Sequence, residues 1–76
     1  MRNLITLMAR EIVDYPDHVG INVIDGGHTS VIELSVANQD LGKIIGKNGR
    51  NIGAIRTIIN AASAKVHKHI IVEVVE

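Results

Sequence analysis

The stretch Leu41–Ile59, LGKIIGKNGRNIGAIRTII, decides how the chain is read, and Gly46-Lys47-Asn48-Gly49 sits at its centre. Ile44 and Ile45 run into the first glycine; after the second, apolar residues return at helical spacing as Ile52, Ile55 and Ile59. The pattern predicts a short helix, a turn over residues 46–49 and a longer helix. Glycine at both ends of the turn admits positive φ and lets another molecule approach without meeting a Cβ. Gly46 is therefore expected to end the first helix in a left-handed cap, and Gly49 to open the second. The N–H groups at the start of that second helix lack intrahelical partners and carry the positive end of its dipole, which makes a phosphate the natural occupant. Lys47 inside the turn, Lys43 one helical turn before it and Arg50 directly after it bring mobile cations to the same spot, and no acidic residue occurs between Leu41 and Val72. A purely structural surface turn also carries an exposed Lys-Asn; the flanking isoleucines and cations favour a nucleic-acid site.

Composition narrows the alternatives. With 76 residues, the chain reads as one domain spanning 1–76, near the lower end of what folds alone and burying roughly 60% of its unfolded surface. Cys, Trp and Phe are absent and Tyr15 is the single aromatic, so the interior is built from Ile, Val, Leu and Ala. No disulfide framework or thiolate metal site is available, which fits a reducing compartment. No apolar run approaches the roughly 18 residues of a membrane span, and the N-terminus lacks the pattern of a signal peptide. A cytoplasmic protein with no membrane partner is expected. The net charge is zero, but residues 1–40 hold two basic and six acidic side chains whereas residues 41–76 hold six basic and two acidic. Such a division suits a module that docks a polyanion on one side only.

Outward from the central stretch, Asn3 is expected to cap a helix whose stripe is Leu4, Leu7, Met8, Ile12 and Val13, with Pro16 as its stop. Val19–Ile24 alternates, Asp25-Gly26-Gly27-His28 forms a turn, and Thr29–Val36 alternates with Ile32, Leu34 and Val36 on one face; together they predict a hairpin. Asn38 or Asp40 is expected to cap the short helix, and the long one to run from about Arg50 to about Val66. Ile70, Val72 and Val74 mark a third strand. The order is αββααβ, an α+β fold with a three-stranded sheet covered by helices on one face.

The run I-I-G-K-N-G-R-N-I-x-x-I resembles the KH-domain signature, apolar-I-G-x-x-G-x-x-I-x-x-I. In KH domains the GXXG loop clamps about four nucleotides of single-stranded nucleic acid. Carried over by position, the loop is Gly46, Lys47, Asn48 and Gly49, and Ile45 and Ile52 form the apolar floor. Lys43, Arg50 and Arg56 supply further cations. The extra helix and strand precede the GXXG core, as in the bacterial, type II form, and the likeness extends to A-R-E-I-V-D-Y-P-D near the start and V-E-V-V-E at the end. The chain thus resembles the YlqC family of small bacterial proteins made of a single KH domain. The resemblance implies a cytoplasmic RNA-binding protein, an RNA chaperone, that pairs with itself or with a KhpB (Jag-type) partner and is linked to cell elongation and cell-wall homeostasis.

Other chemistry is poorly supported. Gly42 to Asn48 lacks the spacing and the Ser or Thr of a phosphate-binding P-loop. His67 and His69 have no third metal ligand and read as solvated histidines. No nucleophile, base and orienting group can be assembled, so neither an enzyme nor a cofactor is expected. On the long helix Ile52, Ile55, Ile59, Ala62 and Val66 share an arc of about 80° that suffices to pack on the sheet. Ala54, Ile58 and Ala61 form a second apolar patch. It is either a wide core stripe continuing under the first helix or the interface of a homodimer or KhpB-type heterodimer. Without aromatic platforms near the loop, weak binding by the monomer is expected; the alternative function is a dimerisation subunit with little RNA affinity of its own.

Overall fold

The computed structural model describes residues 2–75. In chain order the elements are α1 (Arg2–Ile12), β1 (Gly20–Gly26), β2 (Thr29–Ser35), α2 (Leu41–Ile45), α3 (Arg50–Ala64) and β3 (His69–Val74), with single 3₁₀ turns at Pro16–His18, Asn38–Asp40 and Lys47–Gly49. This is the expected αββααβ order. The sheet runs β1-β2-β3. β1 and β2 are antiparallel, whereas β2 and β3 are parallel. Parallel strands cannot be joined by a tight turn, so α2 and α3 make the return across one face of the sheet.

Period-two alternation sets that face. Ser30, Ile32 and Leu34 of β2 are buried, as are Ile70 and Val72 of β3. They pack with Ile5, Ala9 and Val13 of the first helix and its exit, Ile44 of α2, and Ile52, Ile55 and Ile59 of α3. Each such Ile or Leu contributes roughly 1.5–3 kcal/mol by leaving water. On the opposite face Ile24, Val31 and Ile71 lie in one row across the strands, with Ile24 and Ile71 exposed.

Several local expectations are corrected. Asn3 lies inside α1, which already begins at Arg2, so it is not the cap. The buried stripe of α1 is centred on Ile5 and Ala9, while Leu7 is 59% exposed; a small alanine is what permits close approach there. The hairpin turn is shorter than the four residues read from sequence: Gly26 still pairs with Thr29, leaving Gly27 and His28 as the loop, with Gly27 at φ 83°. Asp25 holds this turn, accepting the Gly27 N–H at 3.0 Å and the Ser30 hydroxyl at 3.2 Å. Those bonds, with Lys68 3.7 Å away, lower its carboxyl below the ordinary value. α3 stops at Ala64, so Val66 leaves the core arc and is 64% exposed. Ser63 is buried instead, its hydroxyl donating to the Asn60 carbonyl at 3.1 Å.

Asp40 is the largest revision. Neither it nor Asn38 makes a side-chain cap on the helical turns of its own segment. Asp40 is fully buried, and its two carboxylate oxygens accept the backbone N–H groups of Asp14 at 3.1 Å and Tyr15 at 3.0 Å. It therefore ties the entry of α2 to the exit of α1, where the chain has left the helix and its donors need partners.

Candidate nucleic-acid interface

The turn between α2 and α3 is built on three positive-φ residues, Gly46, Asn48 and Gly49. Gly46 has φ 75° and ψ 171°, a backbone conformation closed to residues with a Cβ. It is thus not the left-handed helix cap expected from the sequence; its positive φ reverses the chain while the backbone stays extended. Asn48 (φ 58°, ψ 27°) and Gly49 (φ 75°, ψ 16°) take the left-handed conformation, and Asn is the non-glycine side chain best suited to it. A Cβ on Gly46 would lie 2.8 Å from the backbone nitrogen of Asn51, whereas one on Gly49 would meet nothing within 4 Å. Gly46 is required by close packing as well as by conformation, Gly49 by conformation alone.

Asn51 went unnoticed in the sequence. Its side-chain amide donates to the Lys43 carbonyl at 2.6 Å, so the first turn of α3 is fastened to the last turn of α2 and the loop between them is held in shape. A helix-end carbonyl eight residues upstream is a tertiary partner that local spacing does not reveal.

No side chain caps the α3 N-terminus; the Arg50 N–H donates to the Lys47 carbonyl and the Gly49 N–H to the Gly46 carbonyl at 3.1 Å, so the turn itself takes up the first of these donors. Lys47, Asn48 and Arg50 are exposed, and neither Lys47 nor Arg50 forms an ion pair among the described residues. Ile45 is 38% exposed at the loop entrance, with Ile52 buried beneath at 7%. Arg56, one turn beyond Ile52, donates from Nε to the Val72 carbonyl on β3 at 3.1 Å. The loop, Ile45, Ile52 and Arg56 therefore lie along one side of the molecule, from the start of α3 to the free edge of the sheet. Lys43 departs from expectation. It is not a mobile cation but pairs with Asp14, and that hydrogen bond raises its ammonium above the ordinary value.

Ala54, Ile58 and Ala61 are exposed on α3, Ile58 by 46%, so this patch is not a continuation of the core. It borders a groove of about 340 Å³ between α1 and α3, lined by Leu7, Met8, Ile12, Ala54, Ile55 and Ile58 among others. No cluster of His and carboxylate groups able to hold a metal occurs among the described residues, and no described helix is long and apolar enough to cross a membrane.

Comparison with known proteins agrees with this architecture. The sequence model of the KhpA/KhpB KH domain matches residues 2–74. The chain is 47% identical over 75 residues to RNA-binding protein KhpA of Caldanaerobacter subterraneus subsp. tengcongensis, covering 99% of this chain and all of that protein. It is 43% identical over 75 residues to RNA-binding protein KhpA of Clostridium acetobutylicum, with the same coverage, and 42% identical to that of Aquifex aeolicus over all of this chain and 96% of the other. No solved structure matches. With the GXXG turn, the αββααβ order and the full-length likeness in agreement, the chain belongs to the KhpA/KhpB KH-domain family, a family of RNA-binding KH domains and not of enzymes.

Proposed function

We propose that the protein binds the backbone of single-stranded RNA through Gly46–Gly49 and acts as a cytoplasmic RNA chaperone. The observation that carries this reading is the uncapped α3 N-terminus beside two positive-φ glycines, with Lys47 and Arg50 free of carboxylate partners. The positive end of the α3 dipole and these cations converge there on the space a phosphate takes, and Ile45 and Ile52 offer an apolar floor for the attached bases. The names of the KhpA relatives support RNA as the ligand.

A second element of the proposal is assembly. The exposed Ile58 between Ala54 and Ala61, continuous with the α1/α3 groove, supports a homodimer or a pairing with a KhpB (Jag-type) protein. Joining two weak RNA sites raises affinity through effective concentration. The same surface favours the alternative in which dimerisation is the main role. A place in cell elongation and cell-wall homeostasis follows from the family resemblance.

Exchanging Lys47 and Asn48 together for Asp tests the RNA site. Asp tolerates the left-handed conformation at position 48 and the turn is exposed, so melting is expected to stay within about 0.5 kcal/mol of the parent. Two negative charges at a helix N-terminus repel the phosphates, so binding of single-stranded RNA is expected to disappear. Parent-like affinity with unchanged melting would remove the site from this loop.

A further inference from the structure

Resting on the single-stranded RNA reading, we infer that Arg56 selects the base beside it, favouring guanine or cytosine over adenine and uracil. Arg56 stands six residues after Arg50 on α3, about 9 Å along the axis, within the span of the four nucleotides a GXXG loop clamps. Its Nε donates to the Val72 carbonyl at 3.1 Å. β3 is the last strand of the sheet, so that carbonyl lies where no further strand pairs. The bond fixes one corner of a planar group.

A guanidinium carries five N–H donors in rigid geometry. With Nε engaged, the two terminal nitrogens keep their donors, and among the described residues they form neither hydrogen bond nor ion pair. A fork anchored in this way asks for two adjacent acceptors in its plane. Guanine offers O6 and N7, and cytosine offers O2 and N3. Adenine and uracil have no two adjacent acceptors on any edge, so one arm of the fork would go unpaired or face an N–H.

A phosphate also accepts both arms, but two features of the site favour a base. The fork adjoins the Val72 carbonyl oxygen, which repels an anion. Ile52, one turn earlier on the helix, offers an apolar neighbour suited to a base and not to a phosphate.

The test uses the full chain and fluorescence anisotropy at low salt, with labelled octauridylate carrying two central G, C, A or 7-deazaguanine substitutions, or none. The parent protein is expected to bind the G or the C oligomer at least about fivefold tighter than the A and U oligomers. A preference for G that 7-deazaguanine abolishes identifies O6 and N7; a preference for C identifies O2 and N3. Arg56→Lys keeps the charge and loses the fork, and it is expected to bind all five within roughly twofold. Arg56→Gln provides a second variant, and melting curves verify that both are folded. Equal affinity of the parent for all oligomers, or a preference that survives in both variants, overturns the role of Arg56 and leaves the loop reading standing. A parent protein that binds none of the oligomers overturns both.

Discussion

Asp40 and Asn51 show how single polar side chains give this small fold its corners. Asp40 is fully buried and spends both oxygens on the N–H groups of Asp14 and Tyr15. Replacing it by Ala leaves those two donors without their charged acceptor, and Asp40→Ala is expected to lose about 2 to 3 kcal/mol in urea unfolding. Asp40→Asn keeps one acceptor oxygen and is expected to lose less. Equal loss in both variants would mean that the site depends on charge and not on the number of acceptors. Asn51 acts on the loop in the same manner through the Lys43 carbonyl. Lys43 itself pairs with Asp14, whereas Lys47 and Arg50 form no ion pair among the described residues.

At the scale of elements, α2, the turn and α3 form a unit whose two glycines have different duties. Gly49 sits at φ 75° with open space around the missing Cβ. Gly49→Ala is therefore expected to lose about 1 to 2 kcal/mol, the cost of the left-handed conformation for an L-residue, with the loop still in place and RNA still bound. Gly46→Ala meets the Asn51 backbone at 2.8 Å as well as a positive φ, so the two helices must separate. A larger fall in melting temperature and loss of RNA affinity are expected. Thermal melting with anisotropy on both variants checks the contrast, and equal behaviour would show that the loop adapts freely. The hairpin is a second unit. Its two-residue turn relies on Gly27 and on Asp25, which is why it is tighter than the run DGGH suggests on its face.

At the scale of the whole molecule, adjacent positions on α3 divide between core and surface. Ile59 is fully buried, whereas Ile58 is 46% exposed. Ile59→Ala is expected to lose about 2 to 5 kcal/mol by leaving a cavity. Ile58→Asp is expected to retain its melting behaviour, sediment as a monomer and bind RNA more weakly than the parent. Analytical ultracentrifugation at several concentrations decides this: a parent chain that stays monomeric throughout, in the absence of a KhpB-type partner, or an Ile58→Asp variant that still self-associates, would remove the patch from the assembly surface.

The linear pattern determined much of this protein. Period-two runs located three strands, helical spacing located α1 and α3, and two glycines bracketed by isoleucines located the turn. Each of these rests on a residue's own conformational range or on neighbours within one helical turn or strand. What only the tertiary structure decided were the roles that depend on a partner far along the chain. Asp40 resembled a helix cap until the exit of α1, some 25 residues earlier, supplied its donors. Lys43 resembled a free cation until Asp14 came beside it, and Arg56 one more basic residue until the sheet edge gave its Nε an acceptor. Leu7 fits an apolar stripe as well as Ile5 does, and which of them is buried depends on the direction from which the sheet meets the helix. Local spacing restricts the backbone; burial and ion pairing are set by which surfaces meet, and that information is spread over the whole chain.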